Sequence, residues 1–189
     1  MGICDKIAIL LNQVEAGAPW PKSAPHAIVV YLEKEGAELG LVMGYRPITI
    51  TAAIYRAWAI TRLRQMEPWV RSWALPEMPA GIPERGAVDA WIEVLGTMEE
   101  LKLDDKHFCG GTADIAKFVD QVRRLLVYQV AKAAGMPQPV LTAYRNYLEN
   151  LWVFNCLAGG VGRPFMGKCG IPQGCPFSMA LVALIMRPW

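Results

Sequence analysis

A mixed α+β fold is what the sequence predicts, and three observations carry that expectation. Short runs rich in β-branched or aromatic residues, AIVVYL (Ala27 to Leu32), PITI (Pro47 to Ile50) and LWVFNCLA (Leu151 to Ala158), are bounded by turn-forming residues and read as strands. Between them lie stretches whose apolar residues recur at helical spacing. In a chain of 189 residues, 53% of them hydrophobic, there is also enough apolar surface for one sizeable core.

Taken in order, MGICDKIAILLNQ opens the chain as an amphipathic helix within residues 1–18. The strands AIVVYL and PITI follow, joined by the loop EKEGAELGLVMGYR with its turn-prone Glu35-Gly36 pair. A helix is expected from about Thr51 to Trp73, interrupted near Pro68. The segment Ala74 to Gly86 holds three prolines and two glycines and reads as a linker between two lobes. Beyond it a helix is expected over Ala87 to Leu103, then a buried strand from Phe108 to about Ala116 entering a turn. Val122, Leu125, Leu126, Val130 and Ala133 mark the apolar face of the next helix, which stops at the turn Gly135 to Pro137. A helix from Pro139 to about Leu148 leads to a hairpin, LWVFNCLA and RPFMGKC around Gly159-Gly160. Gly170 to Gly174 forms a tight loop, and Pro176 to Met186 an apolar helix with proline in its first turn.

Composition removes several function classes. The longest apolar run, Met179 to Met186, is far short of the roughly 18 residues a membrane span needs. The first residues lack the basic start and small-residue cleavage site of a signal peptide. Cys4, Cys109, Cys156, Cys169 and Cys175 are odd in number and show no zinc-ligand spacing, so reduced thiols in an intracellular protein, nuclear or cytoplasmic, are expected. Net charge is +2, which does not by itself announce a nucleic-acid partner. Locally, Arg56, Arg62, Arg64 and Arg71 share sixteen residues with one acid, Glu67, interleaved with Trp58 and Trp69 and followed by Trp73. That segment reads either as a groove that pairs phosphates and stacks bases, or as a helix with a solvated basic side and buried tryptophans.

The informative acid is Asp114, in Thr112-Ala113-Asp114-Ile115, at the end of the expected strand. A carboxylate leaving the core needs an arginine, a backbone N–H or a metal ion as partner. Asp120, six residues later, has the simpler role of capping the helix that follows. More specific is GIPQGCPFS (Gly170 to Ser178), in which a rigid Ile-Pro, a glutamine and a glycine precede a proline-started helix. Gln173 and the bare backbone of Gly174 would let a flat ligand approach closely.

This loop resembles the one before the second palm helix of reverse transcriptases, particularly those of non-LTR retrotransposons of the LINE type and of group II introns. Their pattern is Gly-(Ile/Val)-Pro-Gln-Gly-x-Pro-x-Ser. Upstream, DIAKFVDQV (Asp114 to Val122) is similar to the first aspartate motif of that family, commonly Asp-(Ile/Met)-x-Lys-(Ala/Phe)-(Phe/Tyr)-(Asp/Glu)-x-(Val/Ile). YLEKEGA and YRPITITAAIYRAWAITRL resemble its fingers strands, and ALPEMPAGIPERGAVDA the segment leading to the next helix. Four motifs in the family's order span about Pro19 to Arg187, an agreement far more specific than any one of them.

The resemblance implies a partial right-hand polymerase fold, with fingers over 19–105 and an incomplete palm over 106–189. It also implies template-directed nucleotidyl transfer in the parent protein, with an RNA template, a DNA primer and nucleoside triphosphates as partners. Asp114 would bind Mg²⁺, assisted by the backbone carbonyl of Ile115. Lys34 and Arg46 would reach the triphosphate, and Gln173 with Gly174 would lie against the nucleotide and the template. From the residues alone, Lys34 reads equally as a solvated loop lysine, and Arg46 as the partner of an acid.

Two positions depart from the family. Val119 stands where an aromatic ring usually packs under the sugar, which implies weaker rejection of ribonucleotides. No Asp-Asp pair follows Ser178, and the one present, Asp104-Asp105, lies upstream in a polar turn. Two-ion phosphoryl transfer draws carboxylates from separate strands, so this polypeptide is expected to be truncated before its metal site is complete and inactive alone. The competing readings are a nucleic-acid-binding or interaction module without catalysis and, last, an unrelated apolar scaffold or peripheral membrane protein.

Overall fold

The first two strands, β1 (His26–Glu33) and β2 (Tyr45–Thr51), pair antiparallel, with Ala27 opposite Thr51 and Glu33 opposite Tyr45. The computed structural model describes residues 2–36, 41, 44–157 and 159–188, so most of the loop expected between these strands lies outside the described residues. On its other side β1 pairs in parallel with β3 (Trp152–Leu157), His26 opposite Trp152 and Val30 opposite Cys156. The short β4 (Gly160–Val161) and β5 (Phe165–Met166) turn back antiparallel onto β3, which completes the expected hairpin. One mixed sheet results, in the order β2-β1-β3-β4. Its strands come from both sides of the proline-rich segment 74–86.

Eight helices among the described residues accompany the sheet, and the fold is α+β. They are α1 (Ile3–Glu15), α2 (Ala53–Gln65), α3 (Glu67–Trp73), α4 (Ala87–Leu103), the single turn α5 (Phe118–Gln121), α6 (Arg124–Ala133), α7 (Gln138–Glu149) and α8 (Ser178–Met186). The break between α2 and α3 falls at Met66, and Pro68 sits in the first turn of α3, where its missing N–H costs nothing. No helix among the described residues is long and apolar enough to cross a membrane.

Aromatic side chains dominate the core. Tyr55 stacks on Tyr147 with ring centroids 3.5 Å apart, and Trp20 meets Trp58 edge-on at 5.3 Å. Phe177 closes the cluster against Trp58 and Tyr144. The linker-like segment is pinned to this body. Ile82 is buried, a Cβ on Gly81 would lie 2.5 Å from the Met179 carbonyl, and the Arg85 guanidinium donates to the carbonyls of Leu75, Pro76 and Met78.

Two expectations need correction. The buried strand from Phe108 to about Ala116 does not form: these residues run outside the sheet and are exposed. Gly110-Gly111 interrupts the apolar pattern there and makes ordering costly, and no strand of the sheet pairs with this segment. Second, the buried face of α6 is not the one its leucines suggest. Leu125 is 61% exposed, while Arg124, Val127, Tyr128 and Ala131 face inward. Val122 lies outside α6, after the separate turn α5, so a helical phase counted from it runs across a break. The helix expected over Ala87 to Leu103 forms as α4 and buries none of its residues; Trp91 stays 65% exposed and, with Val94, lines an open pocket together with Pro79, Ala80 and Thr112.

Burial pushes the phenols of Tyr55 and Tyr144 well above their ordinary value and raises the Cys175 thiol, because their charged forms would lose hydration in the core. The folded chain thus keeps protons that the unfolded chain gives up at high pH. The stability these groups contribute is complete below their unfolded values, about 8.5 for a thiol and about 10 for a phenol, and is lost as pH rises towards the folded ones. Thermal unfolding measured over a series of pH values should show Tm falling from about pH 8.5 upward. Cys175→Ala should delay that onset towards about pH 10, whereas a flat Tm across the range would contradict a neutral, buried cluster.

Candidate functional site

The GIPQG loop is clamped between two segments remote from it in sequence. Gly170 N–H donates to the Val122 carbonyl and Ile171 N–H to that of Val119, both at 2.8 Å, while Thr49 N–H of β2 donates to the Gln173 carbonyl at 2.6 Å. Within the loop, Cys175 N–H and the Ser178 hydroxyl both donate to the Pro172 carbonyl, which ties the loop to the start of α8. Two of its glycines are required by close approach as well as by conformation. At Gly170 (φ +80°) a Cβ would lie 2.7 Å from the Asp120 carbonyl oxygen, and at Gly174 (φ +113°) 2.5 Å from that of Thr49.

Between this loop and the inner face of the sheet lies a cleft of about 200 Å³, whose walls include Tyr31, Thr49, Asp120, Arg124, Asn155 and Gln173. The Gln173 amide donates to the Asp120 carboxylate at 3.3 and 3.4 Å, and the Tyr31 hydroxyl donates to Asn155 Oδ1 at 2.9 Å. Arg124 enters from the first turn of α6. Its Nε donates to the Gly170 carbonyl at 3.1 Å and its Nη1 to the Leu148 carbonyl at 2.7 Å.

Of the residues singled out in the sequence, Val119, Gln173 and Gly174 come together here. Val119 is half-buried and packs on the core, its carbonyl holding Ile171. Asp114 and Ile115 do not line the cleft. Both are exposed, and the Ile115 carbonyl accepts the Phe118 N–H at 3.2 Å in the turn that precedes α5. Lys34 and Arg46 lie at the far end of the β1–β2 pair, where Arg46 stands opposite Leu32. Strand alternation puts Pro47 and Thr49 on the cleft face, and Arg46, Ile48 and Ile50 on the other.

Asp120 and Arg124 were not legible as site residues. Asp120 reads in the sequence as a helix cap, and the sequence reading gives Arg124 no role. A signal did exist for the arginine: Arg124, Val127, Tyr128 and Ala131 follow i, i+3, i+4, i+7, once the helix is started at the right residue.

For the Arg56 to Trp73 segment, the structure gives the reading with buried tryptophans. Trp58 and Trp73 are buried, and Trp69 is half-buried with its N–H on the Ala134 carbonyl. Arg62 pairs with Glu15, and Arg71 with Glu67 and Glu84. Among the described residues, Arg56 and Arg64 are exposed and without an ion-pair partner.

Among the described residues no three His, Cys, Asp or Glu side chains gather to hold a metal ion. Asp114 makes no hydrogen bond or ion pair among them, Asp120 is held by Gln173, and Asp104 pairs with Lys106 at 2.8 Å. Alone, they offer single carboxylates and no ligand set for Mg²⁺. No protein-family model and no curated protein matches the chain.

Proposed function

We propose that this chain is part of a retroelement-type reverse-transcriptase domain, comprising fingers and an incomplete palm, whose parent protein carries out template-directed nucleotidyl transfer. One observation carries the reading. Three of the segments behind the resemblance, far apart in sequence, meet at one place: β2 with its PITI, the FVDQV turn, and the GIPQG loop held between them. A loop fixed at both ends presents Gln173 to the cleft at the inner sheet face, with Gly174 packed on Thr49 beside it, as a rigid surface for an incoming nucleotide and the template should be.

In the complete domain, Asp114 and the Ile115 carbonyl would hold Mg²⁺, which stabilises the charge on the transferring phosphate. Lys34 and Arg46 would reach the triphosphate of a nucleotide paired with an RNA template. The partners are thus RNA template, DNA primer and nucleoside triphosphates. Val119 leaves room beneath the sugar. By itself the chain lacks a gathered set of carboxylates among its described residues, and it should not extend a primer.

Purified chain, primed RNA, Mg²⁺ and deoxynucleotides should give no extension. The chain joined in frame to the Asp-Asp hairpin and thumb of a related reverse transcriptase should extend the primer, and Asp114→Asn should return it to background. Extension by the chain alone, or a joined protein that ignores Asp114→Asn, would sink the reading. The alternative of nucleic-acid binding without catalysis retains Arg56 and Arg64, two turns apart on α2, but not the stacking tryptophans, which are committed to the core.

A further inference from the structure

We propose that the cleft between the GIPQG loop and the inner sheet face binds a phosphate group that still carries a proton, with Arg124 as its cation and Asp120 as its acceptor. The proposal stands on these side chains and does not depend on the polymerase reading. Arg124 is 6% exposed, and a buried cation needs compensation. Its two hydrogen bonds go to carbonyls, those of Gly170 and Leu148, and no carboxylate lies within ion-pair distance among the described residues. The Leu148 carbonyl belongs to the last turn of α7, so the negative helix end offsets part of the charge. A guanidinium has five N–H donors, and the Nη2 atom has no acceptor among the described residues.

That nitrogen faces Gly167, where a Cβ would lie 3.3 Å from it. Gly167 lines the same cleft, whose volume of about 200 Å³ compares with about 30 Å³ for one water and leaves room for a polyatomic ion. A planar guanidinium with free donors is suited to a tetrahedral oxyanion.

Asp120 decides which oxyanion. Its carboxylate shares the cleft, and the Gln173 bonds to it are long, at 3.3 and 3.4 Å, which leaves lone pairs for another donor. A fully ionised anion such as sulfate can only be repelled there. Phosphate near neutral pH keeps an O–H, which can donate to Asp120 while its oxygens accept from Arg124. Free phosphate keeps that proton at neutral pH, whereas a terminal phosphomonoester shares the chemistry only below its second pKa of about 6.

The test follows the Arg124 Nε–H and the Gly167 and Gly170 amides by NMR while the chain is titrated near neutral pH with inorganic phosphate or sulfate, and at about pH 5.5 with methyl phosphate, which keeps its proton there. Saturable shifts are expected with phosphate, and sulfate should bind at least about tenfold more weakly, the worth of one charge-assisted hydrogen bond. Gly167→Ala sets a methyl against Nη2 and should weaken phosphate by about tenfold while leaving Arg124 in place. Asp120→Asn should abolish the preference for phosphate over sulfate. Methyl phosphate binding as well as phosphate would identify a phosphomonoester as the ligand, and its exclusion the free ion; both uphold the site. Absence of shifts at these three resonances, equal binding of sulfate and phosphate by the unaltered chain, or a Gly167→Ala variant that binds normally would overturn it.

Discussion

Gly174→Ala is expected to destabilise the protein by about 3 to 5 kcal/mol, from left-handed backbone strain plus steric overlap. The residue sits at φ +113°, and its new Cβ would lie 2.5 Å from the Thr49 carbonyl oxygen. Relief by movement is blocked on both sides. Thr49 belongs to β2 and donates its own N–H to the Gln173 carbonyl at 2.6 Å, while the Cys175 thiol beyond the glycine lies 3.0 Å from the Tyr55 hydroxyl in the core. Against a typical total of about 5 to 15 kcal/mol, such a loss leaves little folded protein at physiological temperature. Gly159→Ala is the control. It has φ +79° but nothing within 4 Å of its added Cβ, so it should cost only about 1 kcal/mol of backbone strain. Urea unfolding of both variants separates the two contributions. If Gly174→Ala fell within error of Gly159→Ala, the close approach of loop and strand would be refuted.

Where local pattern and tertiary context agreed, the chain could be read directly. AIVVYL and PITI became β1 and β2 because β-branched runs bounded by turns have few other options, and the Gly159-Gly160 turn yielded the hairpin of β3 with β4 and β5. Gln173 and Gly174 were legible because a glycine that must accept another backbone leaves a fixed sequence pattern. Failures came where a distant partner decides. Phe108 to Ala116 has the hydrophobicity of a strand, but strand formation needs an edge to pair with, which a local sequence does not record. Arg124 carries no local sign of its burial, because its compensation comes from carbonyls at residues 148 and 170. Asp120 gains its interest only through Gln173, 53 residues on.

Trp58→Ala carries the other large effect, about 4 kcal/mol in the range for emptying a buried aromatic site. The indole is 2% exposed and is enclosed edge-on by Trp20 at 5.3 Å and Phe177 at 5.6 Å. Its N–H donates to Glu15 Oε1 at 2.6 Å, and Arg62 holds the other carboxylate oxygen at 2.9 Å, which ties α2 to α1. Truncation to alanine leaves a cavity and one lost hydrogen bond. Trp58→Phe fills most of the space and, since Arg62 still serves Glu15, should cost only about 1 to 2 kcal/mol. Arg64→Ala, exposed and without an ion-pair partner among the described residues, should stay within about 0.5 kcal/mol of the parent. This ordering distinguishes the two roles open to the Arg56 to Trp73 segment. A tryptophan that stacks bases from an exposed helix would lose nucleic-acid binding on truncation with its Tm unchanged, whereas one that joins two helices through the core loses Tm first. A Trp58→Ala variant that unfolds with the parent midpoint would therefore reassign α2 from scaffold to binding surface.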